Sequence, residues 1–244
     1  MKYGIIIQAR ASSNRLPDKV LKDIEGKPML LRQVERLSNA IKKYPIIVAT
    51  SKESSDDKIA DLCLKNNIKI FRGSLSDVMQ RFIKCAEHFN LDYFVRVGGD
   101  DPLIDPDCCL KIISCNNKKN YDLIFASHRK GWPYGAACEL ISVKSLKKVH
   151  FKNISSFYKE HTIPYFFDNQ KEFNIKKLNS PKSLLRPDYY FTVDYSEDLD
   201  LVREIFKLLL KKSAEFTFKD VINLVDNNSH LLSINSHLHE GFEF

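Results

Sequence analysis

Short continuous apolar runs alternate along the first half of the chain with segments whose apolar residues recur at helical spacing. The apolar runs predict buried strands at 3–9, 45–50, 68–73, 92–99 and 121–127. The segments between them predict helices at 27–41, 55–67, 76–89 and 105–117, the third capped by Ser76. Strands separated by helices pair in parallel through right-handed crossovers. Residues 1–127 therefore predict a doubly wound, mostly parallel α/β sheet of the nucleotide-binding type.

The pattern changes after Ser127. Residues 128–142 predict a loop or hairpin, 155–169 a helix interrupted by Pro164, and 189–210 a short strand, a turn and a strong helix. We expect one domain over residues 1–244, with an inserted flap or small β subdomain at 128–190 before the chain returns to the sheet. The polar residues from 227 onward predict a tail or a docking arm.

Composition narrows the class of protein. The 244 residues are 43% apolar and 28% charged, which is typical of a globular protein. The net charge of +7 favours anionic partners, but no aromatic-interleaved basic patch indicates nucleic acid. The six cysteines form no CxxC pair, which argues against zinc. With neither a signal peptide nor an apolar stretch of about 20 residues, we expect a soluble, reduced, cytoplasmic protein without a membrane segment.

A basic loop follows the first predicted strand. Arg10, Arg15 and Lys19 lie within ten residues of one another. Guanidinium groups bind phosphate oxygens through paired hydrogen bonds, and an ammonium adds a compact charge. The loop therefore predicts a site for a nucleoside triphosphate, although a basic surface loop would show the same composition. Neither GxxxxGK[ST] nor GxGxxG occurs, so a P-loop NTPase and a dinucleotide fold are not supported.

Carboxylates follow the fourth predicted strand. Asp100 and Asp101 come directly after Gly98 and Gly99, and glycines let a backbone approach a ligand closely. Carboxylates at a strand end suit Mg²⁺, which takes one or two of them together with phosphate oxygens. Asp101 has an equally good interpretation as a cap, and Asp105 has a stronger one.

A second acidic group lies in the segment FTVDYSEDLDLV. Asp194 ends the predicted short strand and is a candidate second metal ligand, whereas Glu197 and Asp198 suit the first turn of the following helix. Ligands of doubly wound sheets bind at the carboxyl ends of the strands. We therefore expect the basic loop and Asp100 to face one crevice.

These segments together resemble a known family, the cytidylyltransferases that make CMP-activated acidic sugars. The resemblance is nearest to CMP-Kdo synthetase and to spore-coat polysaccharide cytidylyltransferase-like proteins. It covers residues 1 to about 210 and rests on five segments: the QARxxSxRLPxKxL pattern at Gln8–Leu21, GKPML at Gly26–Leu30, GDDPLIDP at Gly99–Pro106, EHTIPY at Glu160–Tyr165 and TVDYSEDLDLVR at Thr192–Arg203.

The resemblance implies a Rossmann-like nucleotidyltransferase fold and transfer of CMP from CTP to an acidic sugar or related anionic acceptor, for surface polysaccharide synthesis. It implies Mg²⁺ on Asp100 and Asp194, and a homodimer formed by the 128–190 flap. Arg15, Lys19 and Asp100 would be catalytic. The implied nucleotide-binding residues are Gln8, Ala9, Arg10, Ser13, Arg15, Lys19, Arg72, Gly73, Arg81 and Asp100. The implied acceptor-binding residues are Tyr134, Glu139, Glu160 and His161, the last with an alternative as a packed histidine.

The flap departs from the spore-coat pattern GLDVE. Ala137 stands where that pattern has an acid, and Arg129 and Lys130 lie nearby. Losing a carboxylate beside cations lowers the repulsion that an anionic ligand meets. This predicts an anionic acceptor that bears a phosphate, a phosphonate or a carboxylate, unless Glu139 takes over the acid's role.

Two other functions remain open on the residues alone. A metal-dependent glycosyltransferase shares such a sheet but would use a nucleotide sugar and would not need the triphosphate-binding cations. A nucleotide-sensing module would bind CTP without turnover. Release of pyrophosphate from CTP separates both from a cytidylyltransferase.

Overall fold

The computed structural model describes residues 1–117, 119–126 and 131–239, so Arg129 and Lys130 lie outside the described residues. The strands are β1 Tyr3–Gln8, β2 Asp23–Ile24, β3 Lys27–Pro28, β4 Ile46–Ser51, β5 Lys69–Gly73, β6 Tyr93–Gly98, β7 Leu123–Ala126, β8 Glu139–Ser142 and β9 Ile175–Leu178. The α-helices are α1 Met29–Ala40, α2 Asp57–Lys65, α3 Val78–His88, α4 Pro106–Cys115, α5 Val143–His150, α6 Ser156–Glu160, α7 Pro164–Asp168, α8 Ser196–Leu210 and α9 Phe218–Asn227.

The main sheet has the strand order β5-β4-β1-β6-β8-β7-β9 in the described residues. Strand β1 pairs in parallel with β4 on one side and with β6 on the other. Strand β8 runs antiparallel to both β6 and β7. The chain then returns through β9, which pairs in parallel with β7. The predicted doubly wound, mostly parallel α/β sheet is confirmed.

Both faces of β1 are buried, which explains why the apolar run in this strand is continuous. Ile5 and Ile7 pack into the cluster that includes residues of α1, α4, α8 and α9. Ile6 points to the opposite face, where it packs with residues of α3, α5 and α7. All three isoleucines have 0% exposure. Successive side chains of a strand alternate between its faces, so this one run contributes to two cores.

The region predicted as a loop or hairpin contains β8, which forms an antiparallel hairpin with β7 and also pairs with β6. Two local predictions differ from the structure. The strand predicted before Asp194 is reduced to a single bridge between Tyr134 and Tyr190, because Val193 donates its amide to the Asp100 carbonyl in a loop instead. Helix α3 is capped by Asp77, whose carboxylate accepts the Gln80 amide at 2.8 Å, and not by Ser76.

The predicted caps at Asp105 and in the first turn of α8 are present. Asp105 accepts the Asp107 amide at 3.0 Å at the start of α4. Asp198 accepts the amides of Asp194 and Tyr195 at the start of α8. Among the described residues, no helix is long and apolar enough to cross a membrane. The boundaries predicted for the flap, and the cytoplasmic location, stay predictions.

Candidate active site

The two loops expected to share a crevice leave neighbouring strands. Gln8 at the end of β1 lies in register with Gly98 at the end of β6, and Gly99 donates its amide to the Gln8 carbonyl at 2.8 Å. A Cβ at position 99 would lie 2.7 Å from that carbonyl oxygen, so the close approach requires glycine. The fully buried Gln33 of α1 donates to the carbonyls of Gly98 and Asp101 at 2.6 and 2.9 Å. The Gln33 side chain therefore holds the backbone at and just after the end of β6 in place.

The basic loop after β1 is held at its base by a buried carboxylate. Asp56, with 0% exposure, accepts the amides of Ala11 at 2.7 Å and Ser51 at 3.0 Å. Burial would raise the pKa of Asp56, but these hydrogen bonds lower it below its usual value. An ionised carboxylate thus ties the loop to the end of β4.

Lys19 joins the two acidic motifs. Its Nζ donates to Asp100 Oδ2 at 2.7 Å, to Asp194 Oδ1 at 3.0 Å and to the Val193 carbonyl at 2.8 Å. These contacts occupy all three ammonium donors. The residue is only 8% exposed. Burial alone would lower the pKa of Lys19, but Asp100 and Asp194 raise it overall.

Asp194 is the most heavily bonded acid of this cluster. Arg15 lies 2.5 Å from its Oδ1, and the Tyr190 hydroxyl donates to its Oδ2 at 2.8 Å. Burial would raise the pKa of Asp194, but Lys19 and its other partners lower it below the usual range. The cluster therefore contains ionised carboxylates balanced by cations from the basic loop.

Asp101 points to a different partner from its neighbour Asp100. It accepts the Thr192 hydroxyl at 2.6 Å. Burial, and secondly the adjacent Asp100 charge, raise the pKa of Asp101 to about 8. The next helix, α4, is capped by Asp105 and not by Asp101, and a metal-ligand role for Asp101 stays a prediction.

The cleft above these residues has a volume of about 1030 Å³, including solvent at its mouth, which is ample for a nucleotide. Its lining comprises Gln8, Arg10, Ser12, Ser13, Asn14, Arg15, Lys19, Val20, Arg96, Gly98 and Asp100. A second cavity of about 900 Å³ lies between α1 and α9, around Arg36 and Phe216. The basic loop and Asp100 line the first space, whereas Asp105 and Pro106, at the end of the GDDPLIDP segment, line the second.

Residues of the predicted acceptor region approach the cleft from two sides. Arg10 and Glu160 form an ion pair at 3.4 Å, and Glu139 pairs with Arg96 at 3.0 Å. The Tyr134 ring stacks on Tyr190 with centroids 4.5 Å apart. Burial, and secondly the charges of nearby acids, raise the pKa of Tyr134.

The chain matches the family model described as Cytidylyltransferase over residues 4–231. The chain belongs to the cytidylyltransferase family. As such it is a CTP-dependent nucleotidyltransferase, and the family resemblance stated from the motifs is confirmed.

Comparisons with individual proteins support the same family assignment. The spore coat polysaccharide biosynthesis protein SpsF of Bacillus subtilis is 25% identical, with 91% of this chain and 93% of SpsF covered. A 3-deoxy-manno-octulosonate cytidylyltransferase of Hydrogenovibrio crunogenus is 30% identical over 68% of this chain and 67% of its own length. A cytidylyltransferase structure from Leptospira borgpetersenii superposes with a TM-score of 0.88 at 28% identity, covering 95% and 96% of the two chains.

Most of the predicted site residues of this cytidylyltransferase do come together. Those that line the cleft or lie in its ion cluster are Gln8, Arg10, Ser13, Arg15, Lys19, Asp100 and Asp194. Ala9 is buried beside them, at 1% exposure. Lys19 differs from its predicted role in one respect, because all its donors already contact protein oxygens. A phosphate would have to displace one of them.

Three of the predicted nucleotide-binding residues, which the family resemblance assigns to the cytosine pocket, lie apart from the cleft lining: Arg72, Gly73 and Arg81. Arg72 donates to the carbonyls of Ser51 and Glu53 and pairs with Asp57 at 2.7 Å. Arg81 has 0% exposure and donates to the Ser74 carbonyl at 2.6 Å. A Cβ on Gly73 would lie 2.8 Å from the Arg81 side chain, so this glycine makes room for Arg81. Their contact with cytosine stays a prediction.

The exposed His161 follows α6, and its ring lies 5.0 Å from that of Phe157. An aromatic neighbour of this kind fits the packed interpretation as well as the acceptor-binding one. Its acceptor role also stays a prediction.

Proposed function

We propose that this cytidylyltransferase transfers CMP from CTP to a hydroxyl of an anionic sugar acid or related acceptor, with release of pyrophosphate. The observation that carries the proposal is the convergence of Arg10 and Arg15 with Asp100 and Asp194 at the ends of β1 and β6. The names of the relatives, a spore coat polysaccharide protein and a sugar-acid cytidylyltransferase, support an acceptor of this class. They also support a role in making surface polysaccharide.

In the proposed reaction an acceptor oxygen forms a bond to the α-phosphorus of CTP, and the bond from that phosphorus to the bridging oxygen breaks. Charge accumulates on the departing pyrophosphate. Arg10 and Arg15, both partly exposed in the cleft, would bind those phosphate oxygens through charge-assisted hydrogen bonds. Positioning and charge neutralisation are the main contributions that a protein makes to phosphoryl transfer.

We also propose that Mg²⁺ binds here on Asp100 and Asp194. The donor set fits, since two carboxylates already converge on one cationic group and Mg²⁺ takes one or two carboxylates besides phosphate oxygens. Within the described residues no group of three or more His, Cys, Asp or Glu side chains could hold a metal. The remaining ligands would therefore come from CTP and water. When bound, the ion would neutralise phosphate charge and polarise the α-phosphate.

The metal proposal predicts different results for neighbouring acids. Asp100→Asn and Asp194→Asn should each lose most turnover with the fold intact, because the amide keeps the size and removes the charge. Glu197→Gln should lower helix stability only slightly and should leave turnover unchanged, because this exposed acid lies in the first turn of α8. Turnover assays and thermal unfolding check both expectations. An inactive Glu197→Gln beside an active Asp194→Asn would show that the ligand is wrongly assigned.

The anionic character of the acceptor is supported by the wall beside Asp100. Arg96 lines the cleft and is about one-third exposed, and its contact with Glu139 uses only one of its guanidinium nitrogens. Ala137 is buried at 8% exposure and adds no carboxylate to this wall. Arg10 pairs with the exposed Glu160 and could release it to bind an anion. A guanidinium that lines the cleft suits a carboxylate, phosphate or phosphonate on the acceptor.

The acceptor is tested by measuring pyrophosphate release with CTP, Mg²⁺ and a panel of sugar acids, polyol phosphates, phosphonates and neutral hexoses. We expect anionic compounds to turn over best in the wild type. We expect Ala137→Asp to shift the ranking away from the most strongly charged ones, because it adds a like charge. Best turnover with a neutral hexose, or an unchanged ranking in Ala137→Asp, would contradict the proposal.

We keep the homodimer as part of the proposal, built on the flap. That region exposes two large aromatic side chains, Phe151 at 86% and Phe157 at 53%. Exposed apolar surface of this kind is a common feature of subunit contacts. Sedimentation equilibrium should give twice the chain mass, and Phe151→Ser with Phe157→Ser should reduce it to the monomer. A monomeric wild type would remove this part of the proposal.

A further inference from the structure

The segment Ser229–His239, called here the docking segment, folds back onto the start of α8. Asn235 is 2% exposed, and its Nδ2 donates to Asp198 Oδ1 at 2.8 Å and to the Tyr190 carbonyl at 3.0 Å. His239 Nε2 lies 2.8 Å from the same Asp198 oxygen. The family model ends its match at residue 231, so both side chains lie beyond the matched residues.

Asp198 connects these contacts to the candidate active site. It has 0% exposure, and its second oxygen accepts the amides of Asp194 and Tyr195, each at 2.9 Å. One oxygen of the carboxylate thus faces the docking segment and the other faces the backbone of Asp194. Asn235 and His239 fix the orientation of the carboxylate, and the carboxylate fixes the position of the Asp194 amide.

A second connection runs through an aromatic ring. His239 stacks on Tyr190 with centroids 3.5 Å apart and planes 15° apart. The Tyr190 hydroxyl donates to Asp194 Oδ2 at 2.8 Å. Tyr134 stacks on Tyr190 as well, which completes a layer of three rings beside the acids. The docking segment therefore acts on both the backbone and the carboxylate of Asp194.

We propose that Asn235 and His239 are positioning residues for cytidylyl transfer, acting on Asp194 through Asp198 and Tyr190. This inference rests on the proposed function. The buried Asp198 carboxylate has two oxygens that need hydrogen-bond donors. The amides of Asp194 and Tyr195 satisfy one oxygen, and the docking segment satisfies the other. A catalytic carboxylate on a loop needs such support, because small displacements of a reacting geometry lower the rate steeply.

The test compares His239→Ala, His239→Gln and Asn235→Ala with His237→Ala as the matched control, since His237 is an exposed histidine of the same segment. We expect kcat to fall roughly 10- to 100-fold in His239→Ala and Asn235→Ala, with the KM for CTP changed less than about threefold. His239→Gln retains an N–H donor and should recover part of the loss. His237→Ala should match the wild type.

Hydrogen exchange of a peptide spanning residues 190–198 supplies a readout that needs no turnover. Exchange at the Asp194 and Tyr195 amides should accelerate in His239→Ala and Asn235→Ala, while a peptide spanning β1 stays unchanged. Accelerated exchange with an unchanged kcat would show a purely structural role and overturn the proposal. So would unchanged exchange in both variants. A wild type that turns over no acceptor would overturn the proposed function, and the exchange data would still decide whether the segment holds Asp194.

Discussion

Replacing Lys19 by methionine perturbs the centre of the ion cluster with little change in side-chain length. The change removes the ammonium that donates to Asp100, Asp194 and the Val193 carbonyl. Two carboxylates then face each other across the vacated position, and Arg15 alone among the cluster's cations contacts Asp194. We expect the free energy of unfolding to fall and the pKa of Asp194 to rise.

The magnitude follows from the geometry. Two carboxylates about 5 Å apart repel by about 3 kcal/mol at an effective dielectric constant of about 20. The retained Arg15 contact and the 32% exposure of Asp100 both reduce this penalty. Removing one partner of a well-buried pair costs about 3–5 kcal/mol, so a loss of about 2–3 kcal/mol at pH 7 is expected for this partly exposed cluster.

The pH dependence has a definite sign. Asp194 has a lowered pKa in the fold, so its stabilising contribution is present above the usual value of 3.8 and is lost as pH falls through the folded value. Lys19 has a raised pKa, so its contribution is present below the usual 10.5 and is lost as pH rises through the folded value. The deficit of the variant should therefore be present in full near pH 7 and should shrink below about pH 4.

Urea unfolding followed by circular dichroism at pH 7 and pH 2.5 measures this deficit. The matched control is Lys84→Met, which breaks an exposed pair with Glu87 and should cost less than about 1 kcal/mol. Equal losses in the two variants would refute the reasoning. A deficit at pH 2.5 that is as large as or larger than the one at pH 7 would also refute it.

Three further predictions concern the cleft. Arg15→Ala should weaken CTP binding by about 1.5–3 kcal/mol in calorimetry while Lys42→Ala leaves it unchanged, and equal affinities would exclude a phosphate contact at Arg15. In wild type the free energy of unfolding should fall between about pH 4 and 8, because the folded state holds the Asp101 proton with a pKa of about 8. Asp101→Asn should lack this fall in urea unfolding, and identical pH profiles would contradict the prediction. Gly99→Ala should lower stability by about 1–3 kcal/mol in thermal unfolding, because its Cβ would meet the Gln8 carbonyl, and an unchanged melting temperature would count against that close approach.

The sequence was enough to predict that the basic loop and Asp100 face one crevice, because that prediction depends only on the order and direction of the strands. Once β1 and β6 were identified as parallel strands, Arg15 and Asp100 had to lie at the same edge of the sheet. Asp194 was predicted less directly, from its place at the end of a short run that proved to be a loop. Its side chain reaches the cluster all the same, because Lys19 and Tyr190 bond both of its oxygens.

Contacts between distant residues were not predictable in this way. Arg96 meets Glu139 only because β8 inserts antiparallel beside β6, and no periodicity in residues 128–142 indicated that strand. In the sequence Asp56 looks like an ordinary acid at the start of a helix. In the structure its carboxylate accepts the amide of Ala11 in the basic loop, 45 residues earlier in the chain. The link from His239 to Asp198 likewise depends on a fold-back that polar composition alone cannot specify.

Phosphorus NMR of CTP mixed with the enzyme, Mg²⁺ and the anionic acceptor panel tests the proposed transfer most directly. We predict that the CTP signals give way to one pyrophosphate and one phosphodiester per CTP consumed, the diester joining CMP to the acceptor, and that Asp194→Asn shows neither. Conversion of CTP to CDP and inorganic phosphate, or no consumption of CTP with any acceptor while a nucleotide sugar is used instead, would contradict cytidylyl transfer.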